Sequence, residues 1–113
     1  MAGADVKLSS FTRSEISDLF KRARVAVRYS GIRILAATAS LPYARVLMVT
    51  PRASGNAPER NLFRRRIKAI FKENNLTIQK KDIIVIVDKR AIALTFEKLK
   101  QLLFLAVGYS HDS

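Results

Sequence analysis

Asp82-Ile-Ile-Val-Ile-Val-Asp88 holds five consecutive β-branched apolar residues between two aspartates. Alternation would mark a strand with one wet face. An unbroken run this short predicts a strand covered on both faces, and therefore one central to its sheet.

The neighbouring segments can be read outward from it. Downstream, Thr95 is placed to cap a helix whose apolar stripe is Phe96, Leu99, Leu102, Leu103 and Ala106, with Lys98 and Lys100 outside the stripe. Upstream, Lys80-Lys81 mark a loop, and Asn74 and Asn75 suit the left-handed end of a helix running from about Ala57 to Lys72. That helix starts at Asn56 or Ala57, with Pro58 in its first turn and Glu59 favourably placed for the dipole. Phe63, Ile67, Ile70 and Phe71 cluster on one of its sides. Before the loop at Pro51 to Pro58, Arg45 to Thr50 is β-rich. With a turn at Leu41-Pro42-Tyr43, it is expected to form a hairpin with the strand before it.

Val25, Val27 and Tyr29 alternate with Ala26 and Arg28, and Ile32 and Ile34 flank Arg33 after Gly31, as in half-buried strands. Thr12-Arg-Ser-Glu15 matches a capping box and opens a helix from about Arg13 to Ala23, with Ile16, Leu19 and Phe20 on one face. The order is α-β-β-β-α-β-α. Helices that can share one sheet face favour an α+β two-layer sandwich over a doubly wound parallel sheet. With no repeat, low-complexity tract or linker, residues 1–113 read as a single domain folded over about 8–107.

The 113 residues carry 21 Lys plus Arg against 9 Asp plus Glu, a formal +12, and are 49% apolar. That composition supports a core and excludes a disordered basic tail. No cysteine is present and His111 is the sole histidine, which removes disulfide scaffolds, cysteine zinc sites, thiol nucleophiles and most histidine chemistry. No apolar run is long enough to cross a bilayer, and Met1 to Asp5 has no signal-peptide character, so a soluble, cytoplasmic, unprocessed protein is expected.

Between Arg52 and Lys72 lie seven cations, Arg52, Arg60, Arg64, Arg65, Arg66, Lys68 and Lys72, against Glu59 alone. Arg60, Arg64, Lys68 and Lys72 recur every four residues on one helix face, where each like-charge pair costs about 0.2–0.5 kcal/mol. An anionic partner relieves that repulsion, and the excess of arginine favours bidentate grip on phosphate. Asn61 adds a donor and an acceptor. Arg66 points away from the stripe and reads as a solvent-facing cation. Charge alone leaves three partners open: a folded RNA, ribosomal RNA bound by a small basic ribosomal protein, or duplex DNA. The nine acids show no pairing suited to a nuclease or a metal site, so no catalytic residue and no metal ligand is expected in the chain, nor any organic cofactor.

Gly55-Asn-Ala-Pro-Glu-Arg60-Asn61-Leu-Phe-Arg64-Arg65-Arg-Ile-Lys68 resembles the signature helix of the bacterial ribonuclease P protein component. The early helix with Ile16 and Phe20, the strand and turn from Val46 to Arg52, and the Asp82 to Lys89 strand followed by Leu94-Thr-Phe-Glu resemble its other elements. Ile16, Pro51, Ala53, Leu62 and Ala69 depart from the family pattern and mark a divergent member.

The resemblance implies the family's small sandwich, shared with a ribosomal-protein domain and containing a left-handed βαβ crossover. It also implies a role as accessory subunit of the endoribonuclease that removes the 5′ leader from precursor tRNA. In that family a catalytic RNA performs the hydrolysis with Mg2+. By the same resemblance, Arg60, Asn61, Arg64, Arg65, Lys68, Lys72 and Arg52 would bind the catalytic RNA. Ile16 and Phe20 would contact the leader in a cleft between the first helix and the sheet. Arg28 and Tyr29 either line that cleft or decorate a sheet face. The partners expected are the catalytic RNA and precursor tRNA, with no membrane and a monomeric free protein.

Overall fold

The computed structural model describes residues 9–108, so Lys7 and His111 lie outside the described residues. The elements are α1 (Arg13–Arg22), β1 (Arg24–Tyr29), β2 (Ile32–Thr38), β3 (Val46–Val49), α2 (Ala57–Glu73), β4 (Lys81–Val87) and α3 (Phe96–Ala106), with short 3-10 turns at Arg52–Ser54 and Leu76–Gln79. This is the expected α-β-β-β-α-β-α order.

Each helix starts where a side chain satisfies its first free amides. Thr12 and Glu15 exchange capping bonds of 3.1 and 2.8 Å, Asn56 and Glu59 do the same at 2.9 and 2.8 Å, and Thr95 Oγ1 accepts the Lys98 amide at 3.1 Å. Asn75 ends α2 at φ 52°, in the left-handed region.

The sheet order is β1-β2-β4-β3. β4 is central, antiparallel to β2 and parallel to β3. Ile83, Ile84 and Val85 have no accessible surface, so both faces of β4 are covered. The expected hairpin into Arg45 to Thr50 does not form. The hairpin is instead β1–β2, closed by Ser30 and Gly31 at φ +82°. β4 lies between β2 and β3 because only its apolar run can be covered on both sides. The β3-α2-β4 segment is consequently a crossover between parallel neighbours.

Register assigns the faces. Ile32, Ile34, Val46, Ile83, Val85 and Val87 share a core with Phe63, Ile67, Ile70 and Phe71 of α2 and Leu99, Leu102 and Leu103 of α3. Both helices therefore cover one face, giving the two-layer sandwich.

The other face carries Arg33, Leu35, Ile84, Ile86 and Leu47, and α1 lies over part of it. Leu19 and Ile84 are buried yet stand outside the main core. α1 is tied down by Arg22 Nη1, which donates to the Thr38 carbonyl at 2.8 Å.

β1 differs from its period-two reading. A bulge at Ala26 pairs Val25 with Leu35 and Val27 with Ile34, so the two valines leave opposite faces and Val25 is exposed. Among the described residues no helix is long and apolar enough to cross a membrane.

Candidate nucleic-acid interface

The turn into α2 is built around missing bulk. A Cβ on Gly55 would lie 2.8 Å from Glu59 Oε1 and 3.3 Å from Ile92 Cγ1, so only glycine lets the capping box close against the core. The Gly55 carbonyl accepts from Arg60 Nε at 3.1 Å. One turn later the Arg64 guanidinium donates to Thr50 Oγ1 and to Asn61 Oδ1. With their stems half-buried, Arg60 and Arg64 are held in place before any ligand arrives.

Pro58, Asn61, Arg64, Arg65 and Lys68 line a surface groove of about 510 Å³. Arg65, Lys68, Lys72 and Arg52 are exposed. Among the described residues their side chains make no hydrogen bond or ion pair. Five of the seven residues expected to hold RNA thus follow one strip of α2, from Arg60 to Lys68, with Lys72 a turn further on and Arg52 in the turn before it. Phe63, Ile67, Ile70 and Phe71 are fully buried beneath them and fix the helix to the core.

Arg66 departs from its reading as a solvent cation. It is half-buried, and its Nη1 donates to the Leu94 carbonyl at 2.6 Å, bracing α2 against the approach to α3.

On the α1 side, Ile16 is half-buried and Phe20 is 43% exposed, while Leu19 between them is sealed at 1%. Phe20 therefore contributes a ring to the surface rather than to the core. Arg28 and Tyr29 leave opposite faces of β1. Arg28 is directly opposite Arg33 on the face that α1 partly covers, whereas Tyr29 pairs with Ile32 and lies under Lys98 of α3, with Nζ 4.4 Å from its ring centroid.

Both residues nonetheless border a groove of about 420 Å³ at the end of the sheet, lined also by Arg33, Pro51, Ile86, Asp88 and Arg90. Asp88 and Arg90 form an ion pair of 2.8 Å. The Arg90 guanidinium and its backbone N–H hold the Asp88 carboxyl below the usual carboxylate range, and Asp88 in turn raises Arg90.

Arg33 and Arg90 are surface cations that the sequence reading passed over. A signal for Arg33 was present: a two-residue turn at Ser30-Gly31 places it opposite Arg28. Like charges directly opposite on a sheet repel, so this pair, like the α2 strip, is suited to an anion. No group of three or more His, Cys, Asp or Glu side chains among the described residues could hold a metal ion. The arrangement offers phosphate contacts, an amide and an exposed ring, the repertoire of RNA binding.

The family model described as Ribonuclease P matches residues 8–108. Among similar solved structures is the RNase P protein of Staphylococcus aureus, with TM-score 0.73 and 22% identity over 89% of this chain and 93% of that one. Another is the RNase P protein of Thermotoga maritima, in complex with 1-(4-fluorophenyl)-2-thiourea, with TM-score 0.70 and 23% identity over 88% and 96%. A mutant of the Staphylococcus aureus protein with defective mRNA degradation activity gives TM-score 0.75 and 19% identity over 95% and 91%. At these identities the structural likeness carries the fold, and the family model carries the assignment. A search of curated protein sequences gives no significant match.

Proposed function

The chain belongs to the ribonuclease P protein family as a divergent bacterial member, and from that premise we propose how its two basic surfaces divide the work of the enzyme. As a ribonuclease P protein subunit it takes part in an endoribonuclease complex of tRNA processing. Our reading assigns the strip of Arg60, Asn61, Arg64, Arg65, Lys68 and Lys72, with Arg52 beside it, to the catalytic RNA. The face of Ile16, Phe20 and Arg28, ending at Tyr29, takes the 5′ leader of precursor tRNA. The α2 strip and the α1 face with Arg28 lie on opposite sides of the sheet, Tyr29 alone standing on the α3 side at the sheet's end, so one protein can touch both RNAs at once.

The observation that carries this reading is the groove in which Asn61, Arg64, Arg65 and Lys68 converge on a helix pinned by its own core. Arg64 is pre-oriented by Thr50 and Asn61, so little side-chain freedom is lost on gripping a phosphate. The described residues offer no carboxylate cluster for a metal. In this proposal Mg2+ resides on the RNA, which also supplies the hydrolytic chemistry. What this chain supplies is positive charge that screens phosphate repulsion and a surface that holds the substrate strand. The working particle is a cytoplasmic ribonucleoprotein, and the free protein is a monomer.

The test is to capture the protein from cells with its bound RNA and sequence that RNA. One structured ribonuclease P RNA together with precursor tRNA is the expected result. Recovery of ribosomal RNA alone would replace this reading with that of a ribosomal protein.

A further inference from the structure

Arg45, immediately before β3, is a cation with 3% of its surface accessible. Taking such a charge out of water costs several kcal/mol unless partners offset it. Its backbone N–H donates to the buried Asp82 Oδ1 at 3.0 Å, which pins it where β3 meets β4. Its side chain leaves the sheet on the face that α1 covers. Nη1 donates to the Ser10 carbonyl at 2.8 Å and to Glu15 Oε1 at 3.3 Å, and the guanidinium lies 4.2 Å from the Phe11 ring centroid.

All three of these contacts reach the segment that leads into α1 or its first turn. Glu15 is also the residue that closes the capping box of α1. One carboxylate therefore both starts the helix and ties it to the sheet, and the Thr12 amide and Arg45 together keep it charged, with its pKa lowered. At the far end Arg22 holds α1 through Asp18 and the Thr38 carbonyl. Ile16 and Phe20 lie between the two anchors.

We propose that Arg45 is a positioning residue for substrate: by anchoring the entry to α1 it sets how α1 sits over the sheet, and so the opening that receives a single-stranded RNA leader. The inference rests on the leader reading given above. Arg45 is itself too buried to touch RNA, so its effect passes through Ile16 and Phe20. α2 packs on the opposite face, and its grip on the catalytic RNA is independent of this anchor.

Removing the Arg45 side chain outright would empty a buried site at the start of β3, so the informative change is made on the α1 side. In the double variant Glu15→Gln with Phe11→Leu, glutamine still completes a capping box and leucine keeps the apolar cover. The ion pair and the ring contact are lost, leaving the Arg45 charge with its bond to the Ser10 carbonyl alone. Arg45→Lys is the companion variant, keeping the charge without the fork.

Holoenzymes assembled on a bacterial ribonuclease P RNA are compared for affinity to precursor tRNA and to mature tRNA lacking a leader, alongside protein affinity for the RNA and amide exchange in α1. The double variant should exchange faster in α1 and bind precursor about tenfold more weakly, as expected for loss of a charge-assisted contact. Its affinities for mature tRNA and for the catalytic RNA should be unchanged, and Arg45→Lys should fall between it and the wild type. Full leader preference in the double variant overturns the inference alone, as does an equal fall in all three affinities. A wild-type holoenzyme indifferent to the leader overturns the leader reading, and this inference with it.

Discussion

Arg60 Nε donates to the Gly55 carbonyl at 3.1 Å, so the first cation of the α2 strip is held by the turn that starts the helix. The turn in turn depends on an absent side chain, because a Cβ at Gly55 would lie 2.8 Å from Glu59 Oε1. Gly55→Ala should open the Asn56–Glu59 capping box and lower stability by about 1–2 kcal/mol. It should also weaken binding to the catalytic RNA. Chemical denaturation and a binding titration read the two effects. A variant with wild-type stability would show that the turn has room to spare.

Neutralising Arg64, Arg65 and Lys68 together removes three cations from one groove. Each lost phosphate contact reduces the log–log salt slope by about 0.7–0.9, so the triple variant should fall short of wild type by about 2–3 in slope. Affinity measured across a salt series checks this. An unchanged slope would show that the strip does not face phosphate.

Leu19 and Phe20 are neighbours in sequence with opposite expected roles. Leu19→Ala, at a buried site, should destabilise the fold by about 2–4 kcal/mol. Phe20→Ala, at a ring 43% exposed, should leave the unfolding midpoint nearly unchanged. It should cost about 1–3 kcal/mol in affinity for a leader-bearing precursor, the range for one stacked base. Melting curves and precursor-binding assays separate the two substitutions.

The Asp88 carboxyl titrates below its ordinary value because Arg90 hydrogen-bonds it. A carboxyl with a depressed folded pKa contributes stability above its unfolded pKa of about 3.9 and loses it as pH falls through the folded value. Asp88→Asn should therefore narrow the stability difference between pH 7 and pH 3, as measured by urea midpoints. An equal acid sensitivity in the variant would place the titration elsewhere.

Local chemistry made the helices legible in the sequence: Thr12, Asn56 and Thr95 are caps whose partners lie three residues away. The unbroken Ile83 to Val87 run likewise gave the central strand. Features set by distant partners were not legible. β3 pairs with β4 across the whole of α2, and no pattern within Arg45 to Thr50 records that. The bulge at Ala26 is invisible to period-two reading because the valines on either side of it look alike. Arg66 was read as a surface cation since its acceptor, Leu94, is 28 residues away. Arg45 drew no attention because arginine is seldom buried, and its partners come from two distant segments, Ser10 and Glu15 at the start of α1 and Asp82 in β4. Of the site, the α2 strip could be read from spacing because a helix converts spacing directly into a face. The α1 face needed the sheet register, which sent Arg28 and Tyr29 to opposite sides.

The most direct measurement of the central claim is precursor-tRNA cleavage by a bacterial ribonuclease P RNA over a Mg2+ series, with and without this protein. The account predicts that the protein lowers the Mg2+ required and that the protein alone cuts nothing. Cleavage indifferent to the protein at low Mg2+, or cleavage by the protein without RNA, would contradict it.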